Sequence, residues 1–342
     1  MKALVLHKIG DLRYEDIQLP QRKSDEVIVT IKAAGICGSD VPRVFTKGTY
    51  HFPTVPGHEF AGVITDADDE TLIGKKVAVF PLIPCQSCEF CEIGKYELCN
   101  NYDYYGSRRD GGFSEQLNVK LRNLIFLPDD MDLSLAALAE PAAVALHAIR
   151  LTGIKGLDTI AIWGLGPIGL LCAMWARAFG ARVIGIARDE RKLAFAKSLG
   201  FIDLINSEKV DVVETIKELT RENGVDCCIE GTGASEPLGQ ALLACKAERT
   251  VLVMGNPQGN IELSQQQYWA ILRKQLHVCG TWNSSHNQHI DDWQTAIKGL
   301  YDNTIDGKSL ITHRYDFSEY QVAFNKLREK QEHVCKVMFI NE

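Results

Sequence analysis

The sequence predicts an α/β protein built of a mostly β domain and a doubly wound parallel-sheet domain. Three observations carry the prediction. Residues 1–148 are rich in short alternating runs, such as Val27-Ile28-Val29-Thr30-Ile31 and Lys76-Val77-Ala78-Val79-Phe80, punctuated by Gly and Pro. Residues 149–285 alternate buried-strand runs with helical patterns. The strands are Thr159 to Trp163, Arg182 to Ala187, Val225 to Glu230 and Thr250 to Met254, with helices expected at Glu190 to Leu199 and Val210 to Arg221. That alternation implies a parallel sheet covered by helices on both faces. Residues 286–342 hold two helix-like stretches, Asp291 to Tyr301 and Ser318 to Lys330, and a closing strand, Cys335 to Ile340. This last segment is too short to be a domain and is expected to pack back onto the first.

The 342 residues suit two domains, with 46% hydrophobic and 24% charged residues, an ordinary globular composition. The formal charge of −7, without a basic block, argues against nucleic acid as a partner. Met1 to Leu6 is too short an apolar core for a signal peptide. The longest apolar stretch, Ile160 to Ala176, is broken by glycines and a proline and falls short of the roughly 20 residues that span a bilayer. A cytoplasmic protein without a membrane partner is expected. In a reducing compartment its 11 cysteines read as metal or redox chemistry before disulfides.

The most specific local motif is Cys85-x-x-Cys88-x-x-Cys91-x7-Cys99. Four thiolates at such spacing can wrap one tetrahedral ion and leave no open position, so the site reads as structural zinc. Unrelated buried cysteines or an iron–sulfur cluster are the alternatives. Nothing else in the chain suggests electron transfer, which favours zinc.

A second set is dispersed. Cys37 lies in Ile36-Cys37-Gly38-Ser39-Asp40, His58 in Pro56-Gly57-His58-Glu59-Phe60, and Glu140 in Ala139-Glu140-Pro141. Each alone is weak. Together Cys37, His58 and Glu140 make three ligands with one position left for water or substrate, a catalytic zinc pattern. Glu59 follows His58 directly, and adjacent residues of a strand face opposite ways. It is therefore expected as a ligand in some states or as a group holding water beside the metal. Asp40 is placed to orient a ligand, or is a surface turn residue.

Gly164-Leu165-Gly166-Pro167-Ile168-Gly169 follows the strand Thr159 to Trp163 and opens a helix. In that context the glycine pattern is a dinucleotide fingerprint: a tight turn, a close backbone approach to pyrophosphate, and a tight helix–strand contact. The next strand ends Ala187-Arg188-Asp189-Glu190-Arg191. NAD binders place a carboxylate at this strand end. Here Ala187 lacks one, and Arg188, with Arg191, favours the 2′-phosphate of NADP. Asp189 is the competing feature, because it can take the NAD role.

In their order along the chain, these motifs resemble the zinc-containing medium-chain dehydrogenase family over nearly the whole sequence. The resemblance implies a GroES-like catalytic domain (1–148 and 286–342) with its structural zinc lobe at 85–99, and a Rossmann domain at 149–285. It also implies two zinc ions per subunit, NAD(P), and a homodimer or homotetramer. Glu140 stands where alcohol dehydrogenases have a second cysteine, which resembles the polyol dehydrogenase branch. Phe80 to Cys85, Gly106 to Phe113, Ile271 to Lys274 and Gly280 to Asn283 are most similar to the galactitol-1-phosphate 5-dehydrogenases. That group has an acidic residue at Ala187, so the resemblance supports the substrate class better than it supports NAD.

The implied chemistry is hydride transfer from a secondary hydroxyl of a polyol or polyol phosphate, giving a ketose or its phosphate. Ser39 would relay the proton, and Arg108 and Arg109, if not merely salt-bridged, would hold the substrate phosphate. Trp282 and Asn283 are expected to line a wall near the nicotinamide or to pack in the core. The rival readings are a dehydrogenase of free polyols such as sorbitol, a reductase of the same fold without metal ligands, and a non-enzymatic zinc-binding module. The module would leave Cys37, His58, Glu140 and the glycine fingerprint without a task.

Overall fold

The computed structural model describes residues 1–287, 289–329 and 331–341. It divides into two compact units, Met1–Ala143 with Ser285–Glu342, and Val144–Ser284. The chain leaves the first unit within the helix Ala139–Thr152.

The first unit opens with a hairpin of β1 (Lys2–Lys8) and β2 (Asp11–Asp16), then β3 (Glu26–Ile36), β4 (Glu59–Asp66) and β5 (Lys76–Val79). A short ladder of β6 (Leu82–Ile83) and β7 (Asp103–Tyr104) flanks the cysteine lobe, followed by β8 (Gln116–Lys120) and β9 (Leu124–Phe126). Alternate residues of β3 and β4 enter one core: Val27, Val29 and Ile31 from β3 meet Phe60 and Ile64 from β4, with Phe113, Phe324 and Phe339 beside them.

The second unit is the alternating one. Its strands are β10 (Thr159–Trp163), β11 (Arg182–Ala187), β12 (Asp203–Asn206), β13 (Val225–Glu230), β14 (Cys245–Val253) and β15 (His277–Gly280). They form one parallel sheet in the order β12-β11-β10-β13-β14-β15. The strand order reverses between β10 and β13, the place where such sheets bind ligands. β10 is a run of Ile160, Ala161, Ile162 and Trp163, all buried, as a strand covered on both faces requires.

The chain then returns to the first sheet through β16 (Ile311–Tyr315) and β17 (Lys336–Ile340). β17 runs antiparallel to β3, with Val337 opposite Ile36 and Met338 opposite Gly35. The full order is β16-β17-β3-β4-β5-β9, with β8 also on β3. The C-terminal segment thus completes the first sheet. The helix expected over Ser318 to Lys330 begins as a single 3-10 turn, Phe317–Glu319, before the helix Tyr320–Glu329. Lys330 lies outside the described residues. No described helix is long and apolar enough to cross a membrane.

Candidate metal centres and nucleotide fold

Cys37 leaves the end of β3, and His58 and Glu59 stand at the start of β4, its antiparallel neighbour. The two strands thereby deliver three donors to one place. The ligand atoms of Cys37, His58 and Glu59 lie within 4.8 Å of one another.

Asp40, fully buried, holds this corner. Its Oδ2 accepts the Cys37 backbone N–H at 3.0 Å, and its Oδ1 accepts from Arg43 Nη1 while facing His58 Nδ1 at 3.6 Å. Asp40 is therefore a buried hub and not a surface turn residue. Ser39 donates its backbone N–H toward Cys37 Sγ at 3.5 Å and leaves its side chain exposed.

Glu140 enters in the first turn of the helix Ala139–Thr152. A helix N-terminus favours a carboxylate, yet burial wins: with Glu59 and Cys37 also opposing ionisation, its pKa is pushed up to about 8, against the pull of His58. Tyr104 donates its hydroxyl to Glu140 Oε1 at 3.3 Å, and its ring lies 5.9 Å from that of His58. Burial, reinforced by Glu140, holds the Tyr104 hydroxyl well above its ordinary pKa, so it stays a donor. Removal from water, with Glu59 beside it, pushes Cys37 up to about 11.

Glu59 has a partner that the sequence did not announce. Lys336, from β17, donates through Nζ to both its oxygens. Burial works to lower the lysine pKa, but the charge of Glu59 prevails and raises it. The same ammonium donates to the carbonyl of Ile36 at 3.3 Å.

Lys336, Tyr104 and Arg43 were all missed in the sequence. The one local signal was Gly35, a glycine inside a strand: a Cβ there would lie 2.4 Å from Glu59 Oε2.

The donor set fits a divalent cation. Two carboxylates and a thiol of one buried corner face a single lysine, and His58 Nδ1 is buried without a hydrogen-bond partner. Burial keeps protons on Glu140 and Cys37, and a bound cation would take the place of those protons.

The four-cysteine lobe fits independently. Cys85, Cys88, Cys91 and Cys99 bring their sulfurs within 4.8 Å of one another, with 3.9 Å between Cys85 and Cys91 and between Cys88 and Cys99. A tetrahedron with metal–sulfur bonds of about 2.3 Å has edges of about 3.8 Å. All four are free thiols.

The glycines of the second unit form the turn between β10 and the helix that follows it. Gly164 takes φ of 98° at the end of β10. Gly166 precedes the helix Pro167–Ala178, and a Cβ on it would meet nothing within 4 Å. A Cβ on Gly169 would lie 1.8 Å from the Gly164 carbonyl oxygen. Pro167 occupies the first helical turn, where no N–H is required, and Ile168 is half-buried.

At the end of β11, Ala187 is buried and Arg188 is exposed, with no hydrogen bond or ion pair among the described residues. Asp189 is already engaged. It caps the helix Glu190–Ser198 through the Arg191 N–H and pairs with the Arg191 guanidinium at 2.8 Å.

Arg108 and Arg109 are engaged as well. The Arg108 guanidinium lies over the rings of Tyr50 and Tyr102 and donates to the Tyr102 carbonyl at 2.8 Å. Arg109 pairs with Asp103 at 3.1 Å over the ring of Tyr105.

A parallel-sheet unit with a dinucleotide fingerprint and, in the same chain, a β unit with two donor clusters are the parts of a metal- and nucleotide-dependent dehydrogenase. Comparisons agree. Residues 23–129 match the alcohol dehydrogenase GroES-like domain, and residues 167–301 match the zinc-binding dehydrogenase domain. The chain is 36% identical to galactitol 1-phosphate 5-dehydrogenase of Escherichia coli K12 over 94% of this chain and 95% of that one. It is 31% identical to sorbitol dehydrogenase of Bacillus subtilis 168, covering 99% and 96%. The crystal structure of galactitol-1-phosphate dehydrogenase from Escherichia coli superposes with a TM-score of 0.93 at 34% identity, covering all of both chains. The chain belongs to the zinc-containing medium-chain dehydrogenase family, among its polyol dehydrogenases. It is an oxidoreductase acting on CH–OH groups with a nicotinamide nucleotide.

Proposed function

We propose that this enzyme oxidises a secondary hydroxyl of a polyol phosphate, galactitol 1-phosphate first among them, to the ketose phosphate, with NADP preferred over NAD. The observation that carries the reading is the convergence of Cys37, His58 and Glu59, with Glu140, outside that group of ligand atoms, near enough to feel the charges of all three. In this reading Cys37, His58 and Glu140 hold a catalytic zinc, and Glu59 joins them in some states. Cys85, Cys88, Cys91 and Cys99 hold a second, structural zinc. Residues 1–148 and 286–342 form the catalytic domain and 149–285 the nucleotide domain. The enzyme works in the cytoplasm as a homodimer or homotetramer.

When bound, zinc supplies a Lewis acid for the substrate hydroxyl, and the nicotinamide ring accepts the hydride. The chain's own residues do the rest. Asp40 fixes the Cys37 backbone and faces the His58 ring. Tyr104 holds Glu140 by hydrogen bond. Ser39, whose side chain is exposed beside Cys37, passes the hydroxyl proton to solvent. Gly166 leaves room for the pyrophosphate, and Arg188 takes the ribose 2′-phosphate.

A second reading, oxidation of free polyols such as sorbitol, is favoured by one observation: Arg108 and Arg109 already have partners. Nicotinamide absorbance with galactitol 1-phosphate, galactitol and sorbitol, each with NAD or NADP, separates the two. Equal turnover of phosphorylated and free galactitol would reject the first reading.

A further inference from the structure

Three arginines are candidates for an anionic substrate group, and their surroundings differ. Arg108 lies 4.5 and 4.1 Å from the ring centres of Tyr50 and Tyr102, and Arg109 is paired with Asp103. Arg43 is held differently. Its Nη1 bonds Oδ1 of Asp40, the oxygen that faces His58. No other hydrogen bond or ion pair of its guanidinium exists among the described residues.

The guanidinium is thereby held near the ligand cluster through Asp40. A guanidinium carries five N–H donors in a planar fork suited to phosphate oxygens. Here one terminal nitrogen is anchored, and the side chain is only 17% exposed. Its other N–H groups have no acceptor among the described residues, so they can turn to a ligand's oxygens without breaking a bond.

We propose that Arg43 binds the anionic end of the substrate and that it, and not Arg108 or Arg109, sets the preference for a phosphorylated polyol. The proposal rests on the polyol phosphate reading above and names the residue that would carry it.

The test uses the zinc-loaded enzyme, its Arg43→Gln and Arg43→Lys variants, and two substrates, galactitol 1-phosphate and galactitol. The readout is the ratio of kcat/KM for the phosphorylated over the free polyol, with zinc content measured alongside. In Arg43→Gln the ratio is expected to fall roughly tenfold or more, mainly through KM. Arg43→Lys is expected to fall less, because an ammonium keeps the charge and loses the fork. A role confined to steadying Asp40 would lower both substrates together and leave the ratio unchanged, which overturns the proposal. If Arg43→Gln does not fold, Arg43→Lys decides, and a wild-type ratio in it overturns the proposal. A wild-type enzyme that uses both substrates equally is a separate failure, because then the phosphate reading itself falls.

Discussion

Lys336 donates to Oε1 and Oε2 of Glu59 at 2.8 and 2.7 Å, and the two side chains are 3% and 1% exposed. The pair stands beside Cys37, so its charges govern the corner in which the other donors sit. A buried ion pair adds little by itself, but removing one partner strands the other.

Lys336→Met is therefore expected to lower the unfolding free energy by about 3–5 kcal/mol, read from urea titration. The double variant Lys336→Met/Glu59→Gln should recover much of that loss, since no lone charge stays buried. A single variant as stable as the parent would show that the pair is not buried in solution.

Zinc uptake by the metal-free protein should strengthen as pH rises. Glu140, with a pKa of about 8, and Cys37, at about 11, both hold protons at neutral pH, and a bound cation must displace them. Competition against a chromophoric chelator between about pH 6 and 8 reads the slope. In the metal-free protein the sign for stability is opposite. The folded state keeps a proton on Glu140 up to about 8, while the ordinary value is 4.5, so stability falls as pH climbs between them. A flat uptake profile would contradict the placement of these groups.

On the two-zinc reading proposed above, the donor clusters should be separable by count. Cys99→Ser is expected to release one zinc per subunit and lower the thermal midpoint, with thiolate charge-transfer bands lost from the cobalt-substituted protein. Cys37→Ser should release the other ion and abolish turnover while leaving those four-thiolate bands in place. Loss of both ions from Cys37→Ser would refute independent sites.

Arg188→Ala is expected to weaken NADP binding by about 1.5–3 kcal/mol and to leave NAD binding nearly unchanged. Fluorescence titration with the reduced cofactors measures both. Equal losses for the two cofactors would remove the 2′-phosphate from Arg188 and return the cofactor choice to Asp189.

Gly35→Ala should disturb the metal corner more than the sheet. The added methyl would fall on Glu59 Oε2 and force the carboxylate away from Lys336, at about 1–3 kcal/mol. The accompanying change in zinc affinity distinguishes this from a loss of β3 itself.

The readable parts of the sequence were those whose physics is local. Gly164, Gly166 and Gly169 announce a turn and a helix because each acts within a few residues of itself. Cys85 to Cys99 announce a cluster of sulfurs because all four share one short loop. Cys37 and His58 were visible as residue types, but their meeting depends on β3 lying antiparallel to β4. Lys336 was silent, because nothing near Cys335-Lys336-Val337 marks a buried charge. Its role appears only when Val337 is set opposite Ile36. Arg108 and Arg109 were visible as a pair, but their protein contacts were not. Their position just after the four cysteines suggested a phosphate site or a salt-bridged loop, and only the fold brings Tyr50, Tyr102 and Asp103 to them.

Glu59 and Lys336 are separated by 277 positions in the chain. Synthesis runs from one end, so the carboxylate exists long before its counter-charge. Cys37, His58 and Glu140 are all translated ahead of the nucleotide unit, yet the strand that neutralises Glu59 follows it. On the ribosome the metal corner therefore stays electrostatically incomplete while the intervening unit is made. Final burial of the corner is a late event in the life of each new molecule, coupled to the arrival of β17.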